Sequence, residues 1–227
     1  MSNAWKSKLE KKIKAYLKGY TACHDFYHLE RVHHNALEIA SKLPKSEKYD
    51  KDVLWAAAFL HDVGYKNHEK DNKKHNIYGM EIASKWLPQV GFPKNMIPEV
   101  LEVIRLHDNY SWGHDGEKTE HLETKIVQDA DRIDALGAVG IVRLTYFYGE
   151  MGLAIYNPDP VPKSDEVWLN HSLLDAMGRQ PSPKWENLNF EISKKLSKKR
   201  YKFAVEFYQR MKEELGQHHK LMEDPWN

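Results

Sequence analysis

The sequence predicts an all-α fold. Apolar residues recur every three or four positions along most of its length, and no stretch alternates with the period of two that a half-buried strand requires. Glycines, prolines and capping residues punctuate the chain where those periodic stretches stop.

Residues 5–18 carry Trp5, Leu9, Ile13 and Leu17 on one face. Asp25 is an N-cap candidate for a helix over 26–43, whose stripe is Leu29, Val32, Ala36, Ile39, Ala40 and Leu43. Residues 51–63 follow Asp50 and stop at Gly64. Residues 73–90 carry Ile77, Met80, Ala83 and Leu87 and end at Gly91; residues 95–107 hold Pro98 in the first turn. The glycines of "SWGHDGEK" make 111–118 a loop. Helices follow over 120–136, up to Gly137, and over 138–149, and "NPDPVPKSDE" at 157–166 is turn-rich. A long amphipathic helix over 189–215 carries Ile192, Leu196, Phe203, Phe207 and Met211.

With 227 residues, 41% hydrophobic and 30% charged, the chain has enough apolar material for a sizeable core and is too apolar for disorder. The net charge of +1 carries no general bias toward nucleic acid or an anionic membrane, so the basic "KKLSKKR" at 194–200 reads as a solvated helix face. The lone cysteine, Cys23, excludes an intrachain disulfide framework. No apolar run approaches the roughly 20 residues a membrane span needs. The expectation is a cytoplasmic protein without nucleic-acid or membrane partners; a homodimer is compatible with the sequence, and the C-terminal helix either closes the cleft or builds that dimer.

Chemistry concentrates in three stretches. "VLWAAAFLHDVG" (53–64) ends its most apolar helix in His61 and Asp62, where a buried carboxylate needs a partner or a metal. "IVQDADRIDALG" (126–137) holds three aspartates. At about 100° per residue Asp131 and Asp134 share the face of Val127 and Ala130, whereas Asp129 lies with Lys125 and Arg132 as a surface ion-pair member. "CHDFYHLERVHHNALEIA" (23–40) holds His24, His28, His33 and His34. His34 points away from the apolar stripe, and periodicity does not choose between His28 and His33.

The "HxxRV" at 28–32, "LHDVG" at 60–64 and "DADRIDALGAVGIVR" at 129–143, in that order, resemble the HD superfamily of metal-dependent phosphohydrolases, and within it a YpgQ/YedJ-like bacterial branch. The resemblance covers residues 20–145. It implies an HD-domain helical bundle with additional C-terminal helices: an N-terminal helix (1–19) packing on a core (20–150), followed by an extension (151–227). It makes His28, His61, Asp62 and Asp131 the metal ligands, preferring His28 to His33. The C-terminal stretch "NHSLLDAMGRQPSPKWENL" departs from the family's pattern, which leaves the cleft's outer wall and substrate preference open.

Two imidazoles and two carboxylates, without thiolate, suit one divalent metal per chain, Mn²⁺ foremost and Mg²⁺, Co²⁺, Ni²⁺ or Fe²⁺ also compatible. The reaction the resemblance implies is water attack on a phosphorus of a nucleotide or other small phosphoester. A nucleoside triphosphate pyrophosphohydrolase is the first expectation. A 5′-nucleotidase, a non-catalytic nucleotide-binding module and a two-iron HD-fold oxygenase are the alternatives. Asp62, Asp134 and His75 are the catalytic candidates. Arg31, Lys66, Lys74, His75 and His107 are the candidates for phosphate, with Lys73 and Arg105 nearby. Tyr65 and Trp112 are aromatic candidates for stacking on a base.

Overall fold

The computed structural model describes residues 4–20, 23–68, 74–109, 119–157, 172–179 and 185–215. Among them every regular element is a helix. The loop at 111–118 (with Trp112), most of the turn-rich 157–166 and Lys73 lie outside the described residues. The chain divides into two units, Met1–Asp131 and Arg132–Asn227.

In the first unit, α1 (Ala4–Tyr16) buries Trp5, Leu9 and Ile13. It packs on α3 (Lys51–Leu60) and α5 (His75–Val90), with Trp5 edge-on to Trp55 at 5.2 Å and to Phe92 at 4.8 Å. Helix α2 (Phe26–Lys42) starts as predicted: the Asp25 carboxylate accepts from the His28 amide at 2.8 Å. Asp50 caps α3 likewise, accepting from the amides of Asp52 and Val53. Helix α3 lies against α2 and against α6 (Ile97–Leu106). Val53, Leu54 and Ala56 through Leu60 are all buried, and each large member contributes roughly 1.5–3 kcal/mol by leaving water. The short α4 (Tyr65–His68) follows the turn at 61–64, and α5 ends at Gly91, whose φ of 85° is left-handed.

Helix α7 (Leu122–Asp134) departs from its predicted faces. Ile126, Val127, Gln128, Asp129 and Ala130 are all fully buried, so this stretch has no solvated side. Asp129, expected on the surface, is interior; Lys125 pairs with Glu120 instead. Asp131, expected on the buried face, keeps 29% of its side chain exposed. Within the first unit two amides bond to or from α7: Asn35 donates to the Ala130 carbonyl and Gln128 to that of Leu106.

The second unit contains α8 (Gly137–Glu150), α9 (Leu173–Arg179) and α10 (Glu191–Leu215), which pack on one another. Tyr148, Leu173, Leu174, Ala176, Met177 and Tyr208 form their core. Helix α8, assigned by the sequence to the core ending near 150, therefore makes its apolar contacts with the C-terminal helices. No helix among the described residues is long and apolar enough to cross a membrane.

His33 sits on α2 beside the rings of Phe59 (5.0 Å) and Trp55 (6.0 Å). Burial, then the charges of His34 and Lys6, pull its pKa down to about 4. In the unfolded chain the ring protonates near its ordinary 6.5. Between those values only the unfolded chain binds the proton, so acid drains stability across that window. We expect the urea midpoint to fall as pH drops from 6.5 to 4, and to fall less in a His33→Phe variant, with urea titrations at each pH as the check.

Candidate metal centre

The centre grows from the end of α3. Its last turn is wholly apolar, and the chain continues through His61, Asp62, Val63 and Gly64, all buried. Backbone bonds hold this turn: His61 N–H to Ala57 O at 2.9 Å and Tyr65 N–H to Asp62 O at 3.1 Å. Gly64 is required sterically. A Cβ there would fall far inside contact distance of the His75 carbonyl and the Gly79 amide, backbone atoms that cannot yield. The glycine thus lets the His61–Asp62 turn press directly on the first turn of α5.

Asp62 is 3% exposed and is ringed by imidazoles. Its Oδ2 lies 3.0 Å from His24 Nδ1, 3.1 Å from His28 Nε2 and 3.3 Å from His61 Nε2. Its Oδ1 lies 3.1 Å from His107 Nε2 and 3.6 Å from His75 Nε2. Burial would raise the carboxyl's pKa, but nearby His61, then the bonds from His107, His24 and His28, hold it well below the carboxylate range. Burial also opposes charge on His107, yet the Asp62 bond and charge prevail and push that ring up to about 9. Burial, then His107, pull His75 down to about 3.

Two groups of donor atoms converge here, each within 4.8 Å: His28, His61, Asp62 and Asp131, and separately Asp62, His75 and His107. Asp62 belongs to both, with Oδ2 turned to the first and Oδ1 to the second. The first group fits a cation on a specific observation. His61 Nδ1 donates to the Ala58 carbonyl at 2.9 Å, so Nε2 keeps its lone pair. That Nε2 is buried without a hydrogen-bond partner, 3.3 Å from an oxygen of Asp62 and 3.9 Å from one of Asp131. A lone pair facing two carboxylates is costly without a cation between them. His107 is oriented in the same way, Nδ1 donating to Ile104 O at 2.7 Å.

His28, His61, Asp62 and Asp131 thus come together, and so do His75 and His107. Other candidates are engaged elsewhere. The Lys66 ammonium donates to the Tyr16 carbonyl and lies 4.8 Å from that ring, so it anchors α4 to the end of α1 rather than reaching for phosphate. Arg105 forms a two-bond pair with Glu102. Asp134 accepts from Arg143 at 2.9 Å; Arg31 is half-buried on α2, and Lys74 is exposed before α5. Tyr65 is no platform for a base: His24 stacks on it at 3.7 Å and His75 at 4.0 Å, and two rings that close must cover opposite faces. The residue the sequence reading left without a role is His24. It stands four positions before His28, a spacing that puts both on one side of a helix start, but its place outside the apolar stripe hid it.

The HD domain profile matches residues 25–136. A crystal structure of a predicted HD superfamily hydrolase from an uncultured Thermotogales bacterium is 30% identical, covers 92% of each chain and superposes with a TM-score of 0.59. The chain belongs to the HD superfamily. It is accordingly an HD-type metal-dependent phosphohydrolase, and a divalent metal is the cation its donor cluster suits. YpgQ of Bacillus subtilis is 25% identical over 205 residues, 89% of this chain and 90% of YpgQ. A crystal structure of YpgQ in complex with ADP superposes with a TM-score of 0.62 at 24% identity, covering 92% of this chain and 94% of that one. A Lactobacillus plantarum protein shares the fold at a TM-score of 0.75 and 22% identity, with 95% and 98% of the chains covered.

A Gly64→Ala variant should unfold more easily by about 1–3 kcal/mol, the usual cost of forcing extra volume into a closed space. Urea titration measures it, and wild-type stability would show that the turn and α5 can separate freely.

Proposed function

We propose that this HD-type phosphohydrolase acts on nucleoside triphosphates, releasing monophosphate and pyrophosphate. The observation that carries the reading is the convergence of His28, His61, Asp62 and Asp131 around the unbonded His61 Nε2. The nucleotide part draws support from YpgQ, which binds ADP in its crystal structure. Mn²⁺ is the proposed metal, since the donors are nitrogen and oxygen only. The single cysteine suits a reducing compartment, and the cytoplasm is part of the reading.

His28, His61, Asp62 and Asp131 would hold the cation, which supplies Lewis acidity for activating water and neutralising phosphoryl charge. Asp62 is the pivot of this set because its surrounding imidazoles keep it ionised and fixed. His75 and His107 line the other side of that carboxylate as candidates for the phosphate oxygens, and Arg31 and Lys74 are the remaining cationic candidates. Asp134, paired with Arg143, stays a catalytic candidate, one that could orient a water or a ligand. Asp62's membership of two donor groups favours a second reading on one point, two cations instead of one.

The test is release of phosphate and pyrophosphate from nucleoside mono-, di- and triphosphates with Mn²⁺, alongside metal analysis of the purified protein. We expect pyrophosphate from triphosphates and a loss of more than about 100-fold in Asp62→Ala, greater than typical losses from residues that merely support ligands. Phosphate from monophosphates would instead establish a nucleotidase. Metal bound with no release from any nucleotide would overturn the substrate class. Asp134→Asn should keep the metal and lose activity; unchanged activity removes Asp134 from the reaction. A ratio near two metals per chain would assign Asp62, His75 and His107 to a second cation.

A further inference from the structure

The stack His24–Tyr65–His75 stands beside the centre and belongs to neither donor group as a whole. The Tyr65 ring is nearly parallel to His24, at 3.7 Å and 12°, and to His75, at 4.0 Å and 15°. The outer rings of this three-ring stack reach different oxygens of one carboxylate. His24 Nδ1 is 3.0 Å from Asp62 Oδ2, and His75 Nε2 is 3.6 Å from Asp62 Oδ1. His75 also meets His107, Nε2 to Nε2, at 3.1 Å.

The stack is fixed at its middle member. The Tyr65 amide donates to the Asp62 carbonyl, so the phenol ring is tied to the same turn that carries the carboxylate. Gly64 brings that turn onto the His75 backbone, which sets the Tyr65 and His75 rings at stacking distance. The ring planes of His61 and His107 are set by Nδ1 atoms that donate to carbonyls within their own helical turn, whereas His24 and His75 each lie flat against a face of Tyr65. For His24 and His75 the stacking on Tyr65 adds a constraint on the ring plane to their contacts with Asp62 and His107.

We propose that Tyr65 is a positioning residue that orients His24 and His75 about the two oxygens of Asp62 and so sets how tightly the centre holds a divalent cation; the affinity part rests on the metal-centre reading above. The proposal concerns the aromatic faces, so phenylalanine should replace Tyr65 and leucine, which lacks a ring, should not. Residues that orient metal ligands typically contribute 10- to 100-fold in affinity, and an effect of about that size is expected here.

The experiment compares wild type, Tyr65→Phe and Tyr65→Leu after chelator treatment. In wild type and Tyr65→Phe, the ring-proton resonances of His24 and His75 should lie upfield, in the shielding zone of the central ring. In Tyr65→Leu they should return toward ordinary histidine positions. Co²⁺, followed by its visible spectrum, should bind Tyr65→Phe as it binds wild type and bind Tyr65→Leu about 10- to 100-fold more weakly. The metal-free melting temperature should stay near wild type in both variants, which separates positioning from general loosening. Equal Co²⁺ affinity in Tyr65→Leu overturns the inference while leaving the metal centre intact. Absence of upfield shifts in wild type overturns it without need of any variant. Failure of wild type to bind Co²⁺ would sink the metal-centre reading and the affinity claim with it, and the resonance positions would still decide whether Tyr65 orients the two rings.

Discussion

Everything around the centre answers to one constraint, the burial of the Asp62 carboxylate at the end of a helix that offers it no water. An ionised carboxylate in such a place is unstable unless charge or hydrogen bonds surround it. Here five imidazoles do so, from the segment before α2, from α2 itself, from the turn after α3, and from the ends of α5 and α6 that meet there. The packing of α3 between α2 and α6 is therefore inseparable from the chemistry. If those helices moved apart, the carboxylate would lose the groups that keep it charged.

The two oxygens of Asp62 divide the surroundings. Oδ2 faces His24, His28 and His61, and Oδ1 faces His75 and His107. A carboxylate used from both sides serves two donor groups, with Asp131 as the further carboxylate of the first group alone. Each side has one ring held by a carbonyl within its helical turn, His61 and His107, and one ring stacked on Tyr65, His24 and His75. Metal sites depend on such supporting contacts about as much as on the ligands they support.

Membership of the HD superfamily makes sense of why an all-helical unit is suited to this chemistry. Each helix end delivers a side chain inward while the apolar stripes keep the backbone fixed, so ligands distant in sequence arrive at one point on rigid supports. Helices α8, α9 and α10 form a unit with its own core around Tyr148, Leu174 and Tyr208.

The sequence by itself determined the helices, their caps and the residue types of the donor set. Asp25 and Asp50 cap where a short oxygen acceptor before an apolar repeat should cap, because that choice is local. His61 and Asp62 were legible because ionisable residues closing an apolar helix have few stable explanations. His28 was distinguished from His33 by family resemblance alone, since both flank the same stripe. Only the tertiary structure decided the rest. The faces of α7 were misread because periodicity assumes one side meets water, and this helix is enclosed on all sides near Asp129 while Asp131 stays partly open. The role of His24, the covering of both faces of Tyr65, and the diversion of Lys66 to Tyr16 join residues that are far apart in the chain or lie outside any repeat. Local patterns report which residues a helix offers, and the packing of other helices against it decides what those residues meet.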